Sequence, residues 1–335
     1  MRDCVENECV KAFASAHLRT HALRIYGDQP ERALMHVRLL NLSTLLLVFL
    51  LSLAGCSGNQ DISSLVLKAS EGDSRASMKL VEAMGSMDKE VALEAYKGVI
   101  DIGPGIGPFL IKGLESSEDT VVEASAAALG NLGDKGSIPA LIRILEGDGG
   151  RRYAAAWALG EIGDLSVVPN LVTSLGSPDT LLQKSAVRAL VKLGPEAGQM
   201  VTAFLVETAD ISSQRAAIRV VGELKTSIAV DILVSIGGPN RDAAAWALGR
   251  IGGHGALDPL LDALSDPRWQ VRREAAQALG NLEDDKAVDA LTRALDDTVT
   301  VVREWAARSL ETITGRQVLY LGEDGDMIPP YNLYR

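Results

Sequence analysis

The sequence predicts an all-α chain: an α-solenoid of about eight two-helix repeats. Three observations carry that prediction. The 335 residues are 47% apolar yet hold only 4 Phe, 4 Trp and 6 Tyr. The apolar mass is therefore mostly Ala, Leu, Val and Ile; Ala and Leu favour helix, and Ala lets helices approach closely. Second, one heptapeptide, "AAAWALG", stands at Ala154–Gly160 and again at Ala243–Gly249. Third, no stretch alternates with period two, so no sheet is expected.

Taken in order, residues 1–34 are mixed polar sequence. Residues 35–56 read "MHVRLLNLSTLLLVFLLSLAGC". Arg38 makes a short basic region, Leu42–Leu53 an apolar run, and Ala54 and Gly55 small residues ahead of Cys56. This is the layout of a secretory signal, too short for a comfortable membrane span. "LAGC" at Leu53–Cys56 resembles the lipobox of bacterial lipoproteins. That resemblance implies cleavage before Cys56, lipid attachment to Cys56, and a stable membrane anchor. Ser57, not Asp, follows the Cys; the resemblance reads this as outer membrane, facing the periplasm, in a two-membrane bacterium. Because the signal has its own Met35, residues 1–34 are expected to be a misassigned extension. Residues 35–55 are the signal and 56–61 a lipidated tether. Without residues 1–55 the chain keeps 27 basic and 39 acidic residues, a net charge of −12.

The solenoid is expected over 62–313, opened by a cap helix at Ile62–Gly72. Aligned Ala-rich segments give the reference positions Gly130, Gly160, Val191, Gly222, Gly249, Gly280 and Glu311, spaced 30, 31, 31, 27, 31 and 31 residues apart. A weaker copy ends at Ala95–Pro104. A period near 31 signals stacked repeats. Shorter amphipathic stretches lie between, with Pro139, Pro169 and Pro259 expected in their first turns, where a missing N–H costs little. "VRREAAQALGNLEDDKAVDALTRALDD" (Val271–Asp297) and its siblings resemble the HEAT-like repeats of phycobilisome bilin lyases and many other bacterial proteins. The resemblance covers roughly 74–313. It implies that the second helices line a concave side, and it says little about function. After Gly315 the periodicity stops, and 314–335 is expected to cap the last repeat.

Positions seven and three before the reference, and one after it, are four residues apart and share one helix face. That stripe holds eight basic residues: Lys184, Arg188, Lys192, Arg215, Arg219, Arg250, Arg273 and Arg308. It also holds five acidic residues and the aromatics Tyr153, Trp157 and Trp246. Trp157 and Trp246 occupy a slot that other copies fill with Arg188, Arg219 and Arg308, so the slot is not a core position. Arg, Trp and Tyr are the residues enriched at binding hot spots. The stripe is accordingly the candidate partner-binding surface. Two other readings stand beside it: Trp side chains leaning sideways to cap packing between repeats, and cations paired with acidic neighbours on a solvated face. Trp269 and Trp305 lie outside the stripe as packing or rim residues. With helices about 10 Å apart, eight repeats span on the order of 70–80 Å, enough for a protein interface of about 1,600 Å².

Chemistry-bearing constellations are sparse. Cys4, Cys9 and Cys56 are the three cysteines, and His254 is the one histidine beyond position 56. Deoxyhypusine hydroxylases use HEAT-like repeats with His-Glu pairs that hold two irons, and this chain has no His-Glu pair. "GPGIGP" (Gly103–Pro108) has no preceding strand for a phosphate loop, and "GEDGD" (Gly322–Asp326) lacks the spaced ligands of a calcium loop. Both read as turns, as does "GGHGALD" around His254. No catalytic residue, metal or cofactor is expected, and the chain is expected not to be an enzyme. The expected partner is a protein or peptide with acidic segments, with the membrane reached through the lipid. No nucleic acid and no small-molecule substrate are expected. The resulting function is an envelope interaction scaffold. The alternative is a HEAT-like enzyme or enzyme subunit, bilin-lyase-like or DNA-glycosylase-like, should the export signal go unused.

Overall fold

The computed structural model describes residues 61–330. The expected extension, signal, Cys56 and most of the tether lie outside the described residues, as do the last five residues of the tail. Among the described residues no helix is long and apolar enough to cross a membrane.

Seventeen α-helices follow one another in the described chain: α1 Ile62–Ser70, α2 Ser74–Ala83, α3 Lys89–Ile102, α4 Gly107–Gly113, α5 Asp119–Leu132, α6 Ile138–Glu146, α7 Arg152–Ile162, α8 Val168–Ser174, α9 Thr180–Leu193, α10 Pro195–Glu207, α11 Ile211–Glu223, α12 Val230–Ser235, α13 Arg241–Ile251, α14 His254–Ala263, α15 Trp269–Leu282, α16 Val288–Ala294 and α17 Thr300–Thr314. Odd helices pack on odd helices and even ones fill a second layer, each touching the odd helices beside it. This is a two-layer α-solenoid. One continuous core runs through it, built from aliphatic and Ala side chains. The position before each reference residue is its spine: Leu129, Leu159, Leu190, Val221, Leu248, Leu279 and Leu310 are all buried.

Each turn is written in the repeat. Helix α5 ends at Gly133, φ 63°, a left-handed conformation that costs glycine little. Asp134 then accepts from the Gly136 N–H and starts a short 3₁₀ turn. Gly163 and Asp164 repeat this after α7. The same left-handed position is held by non-glycine residues after α11 and α15, Lys225 and Glu283, both at φ 51°. Asp73, Asp88 and Asp179 cap α2, α3 and α9 by accepting from two backbone N–H groups each. The 27-residue interval is four short of 31, about one helical turn. The loss shows in the first helix of that unit: α12 has 6 residues.

Four expectations are corrected. A sheet does form: Tyr320–Leu321 (β1) pairs antiparallel with Met327–Ile328 (β2). It lies against α17, where Arg303 donates to the Leu321 carbonyl and the Val318 N–H donates to Glu311. Two residues per strand are too few to show alternation in a sequence. Pro259 is interior to α14, because the turn that is 3₁₀ in other units is here absorbed into the helix start. For the same reason His254 begins α14 rather than sitting in a turn. Finally, α10 has 13 residues, as long as α11, because Gly194-Pro195 starts it without an intervening 3₁₀ turn. "GPGIGP" forms a 3₁₀ turn that runs directly into α4.

Candidate functional site

The odd helices hold the stripe by packing at a fixed register. A Cβ placed on Gly160 would lie 2.6 Å from the Cα of Ala189; one on Gly249 would lie 2.4 Å from the Cβ of Ala278. A Cβ on Gly280 would meet Ser309 at the same distance. The reference glycine of one repeat therefore seats the small residue two before the reference of the next. This close approach sets side chains 27 to 31 residues apart in lateral contact.

Six of the eight stripe cations are paired, three across that lateral contact and three within their own helix. Lys192 of α9 donates to Glu161 of α7. Arg215 of α11 grips Asp242 of α13 with two hydrogen bonds, 3.1 and 2.5 Å. Burial pushes the Asp242 carboxyl up, but Arg215 outweighs it and holds the group below its ordinary value. Glu223 receives Arg219 at 2.6 Å and Arg250 at 2.8 Å. Arg308 pairs with Glu304 at 2.6 Å, and Arg273 with Glu274. Tyr153 faces Glu123; burial and that carboxylate push its phenol up to about 12. Among the described residues, Lys184 and Arg188 are the two stripe cations with no acidic partner, and both are exposed.

The tryptophans lean on glycine. The Trp157 ring lies over Gly130 and the Trp246 ring over Gly222, each where that glycine's side chain would be. Both rings are half-buried and pack against the core. Arg219 sits 4.4 Å and Arg250 5.9 Å from the Trp246 ring centroid, a cation–π arrangement. Trp305 is half-buried against the core, and Trp269 stands at the rim beside Arg273, 5.8 Å from its ring.

The α9–α11 seam departs from the glycine rule and carries a groove. Between α9 and α11 lies a groove of about 710 Å³. Its lining includes Lys184, Arg188, Lys192, Arg215 and Arg219. Five of the eight basic stripe residues thus converge there, including both unpaired ones. Arg250, Arg273 and Arg308 lie on later helices, α13, α15 and α17, outside this groove. The cause is visible in the packing columns. The reference residue of α9 is Val191, not Gly. Its counterpart two before the reference of α11 is Val220, where other odd helices carry Ala158, Ala189, Ala247, Ala278 and Ser309. Two branched side chains replace a glycine and a small residue, so this seam lacks the close glycine contact that Gly160, Gly249 and Gly280 make. Val187, Val191 and Ala216 give the groove an apolar lining, and Gln183 and Ser212 add polar edges. Sequence reasoning missed these residues, although Val191 in a glycine column was the available signal.

A second column was also missed: the position eight before each reference. Arg152 donates to the Leu145 carbonyl, Gln183 to that of Leu175, and Arg303 to that of Asp297. Arg272 holds the Asp266 carbonyl and grips Asp297 with two hydrogen bonds, 2.6 and 2.8 Å. These side chains clamp the turn between paired helices and are structural. Among the described residues, no group of three or more His, Cys, Asp or Glu could hold a metal ion.

Family comparisons match this architecture. A model described as HEAT repeats matches residues 147–211 and 238–311, and one described as PBS lyase HEAT-like repeat matches 121–147. A comparison with curated protein sequences finds no match. Similar solved structures include human deoxyhypusine hydroxylase in complex with glycerol, at 21% identity over 72% of this chain and 99% of that one, TM-score 0.32. An engineered protein is 26% identical over 76% of this chain and 78% of that one, TM-score 0.41. The complex of CpcE and CpcF of phycocyanin lyase from Nostoc sp. PCC7120 is 21% identical over 61% of this chain and 86% of that one, TM-score 0.34. The expectation that the chain is not an enzyme is overturned here. Two of these similar structures, the hydroxylase and the lyase, are enzymes. Matched models, recurrent glycine seams and two-layer stacking lead to one assignment: residues 121–211 and 238–311 of the chain are HEAT-like repeats.

Proposed function

We propose that the chain binds a protein partner through its odd-helix face, with the groove between α9 and α11 at the centre, while tethered to the cell envelope by lipid on Cys56. The observation that carries the binding reading is the position of Lys184 and Arg188. The other six stripe cations are paired within the chain, whereas among the described residues these two stand exposed and without an acidic partner beside the groove. Exposed charges beside an apolar surface are features that partners use for steering and specificity. The anchor reading rests on the signal layout and on "LAGC" at Leu53–Cys56.

A photo-reactive residue at Ser212, on the groove edge, tests the binding reading in cells. Crosslinks to a discrete partner are expected there, and not from Asp231 on the even-helix layer. Lys184→Glu with Arg188→Glu is expected to remove them while the fold persists, since neither side chain packs in the core. Crosslinks that survive the double reversal would sink the proposal. Palmitate labelling of wild type against Cys56→Ala tests the anchor: label that persists in the variant would refute attachment at Cys56.

A further inference from the structure

We infer that the α9–α11 groove takes an extended acidic peptide segment in which two carboxylates flank one aliphatic residue. This rests on the reading that the odd-helix face binds protein, and adds the chemistry of what is bound.

The two free cations are four residues apart on α9, so their attachment points lie about 6 Å apart along the helix axis. In an extended strand, side chains i and i+2 point the same way and are about 6.6 Å apart. A strand lying along α9 therefore presents two carboxylates, one to Lys184 and one to Arg188. The residue between them points oppositely, toward the apolar lining that includes Ala216 of α11. An aliphatic side chain matches that surface and a polar one does not. The groove volume, about 710 Å³, lies within the roughly 300–1,000 Å³ of ligand clefts.

A single phosphate fits less well. The two cations are set along the groove rather than converging on one point. The nearby N-terminus of α11, a potential anion site, is already filled by Asp210, which accepts from the Ser213 N–H at 2.7 Å and from the Ser213 hydroxyl at 2.6 Å. A nucleic acid needs a run of free cations to neutralise successive phosphates. Here the flanking cations are committed: Lys192 to Glu161, Arg215 to Asp242, Arg219 to Glu223.

Fluorescence anisotropy with the full chain and a labelled Gly-Gly-Glu-Val-Glu-Gly-Gly peptide tests this. Binding is expected, and is expected to weaken with salt, since exposed charge pairs are screened beyond about 8 Å at physiological ionic strength. Lys184→Gln and Arg188→Gln are each expected to weaken it by roughly fivefold, the upper value for an exposed ion pair. Peptides carrying Gln-Val-Gln, Glu-Ser-Glu or Glu-Glu-Val are expected to bind more weakly. Equal binding of any of the three, or of the double Gln variant, would overturn the inference. So would a single-stranded oligonucleotide that binds more tightly than the peptide. If crosslinking from Ser212 depends on the two cations while Glu-Val-Glu fails to bind, the protein-binding face stands and this assignment of its ligand falls.

Discussion

Replacing Gly249 by Ala tests whether the glycine column holds the repeats together. The added Cβ would stand 2.4 Å from the Cβ and 2.7 Å from the Cα of Ala278, where ordinary contact begins near 3.4 Å. No rotamer relieves this, because both atoms are fixed by the backbone of α15. Helices α13 and α15 must part by about an ångström, loosening the buried Leu248 and Leu279 beside the seam. Overpacking of this kind costs about 1–3 kcal/mol. Ala is a better helix former than Gly by up to about 1 kcal/mol, which opposes the loss. The net expectation is about 1–2 kcal/mol of destabilisation. Repeats interact chiefly with their neighbours, so the damage should stay local. Hydrogen exchange is the decisive assay: protection should fall in α13 and α15 and hold in α5 and α7, with a modest drop in urea midpoint. A variant as stable as wild type, with unchanged exchange, would show that helix propensity governs this position and that the seam is not tightly set.

Other outcomes are expected from the same structure. Arg272→Ala should cost about 3 kcal/mol in urea unfolding, as for breaking a largely buried ion pair, because Asp297 loses its guanidinium partner and the Asp266 carbonyl loses a donor in the same step. Burial raises the Asp297 carboxyl, but Arg272 and the Val299 N–H hold it below its ordinary value. Its stabilising contribution is full above the unfolded value of about 3.9 and is lost as pH falls through the lower folded value. Acid titration of stability should therefore be shallower in Asp297→Asn. Glu283→Gly should stabilise by about 0.5–1 kcal/mol in thermal unfolding, since a side chain at φ 51° is strained and glycine is not. The Tyr153 phenol, raised to about 12 by burial and Glu123, contributes stability below the unfolded value of about 10 that disappears as pH rises through 12. Comparing absorbance titrations of wild type and Tyr153→Phe should show the missing step near 12, not near 10.

The solenoid was legible because each unit must bury one apolar face on the next, and that requirement recurs at a fixed interval. The stripe was legible for a related reason: Lys184, Arg188 and Arg219 could not share the environment of Leu190 or Val221. What a single helix face does not reveal is lateral partnership. Whether Arg215 is free depends on Asp242, 27 residues on, and Lys192 depends on Glu161, 31 residues back. The same holds for the tryptophans. Their slot is outward in the helix period, yet a neighbouring glycine leaves room for the ring to fold down. The β1–β2 ribbon was invisible because two residues carry no period, and its anchor is one long side chain, Arg303.

The groove is a departure from the repeat in two unrelated properties at one seam. Packing departs because Val191 and Val220 replace a glycine and a small residue together. In α3 the same column holds Ile100, but its counterpart in α5 is the small Ala128. Charge departs because the lateral neighbours of Lys184 are Tyr153 and Arg215, one engaged by Glu123 and the other by Asp242. The lateral neighbours of Arg188 are Trp157 and Arg219, neither of them acidic. Nothing about valines at this seam requires the cations beside them to lack partners. Filling the column of Arg188 with an acid in α7 or α11 would have paired it, as Glu161 pairs Lys192. An open apolar cleft and unneutralised charge are each tolerable alone in a solenoid. Their coincidence between α9 and α11 is the reason to look for a ligand there first.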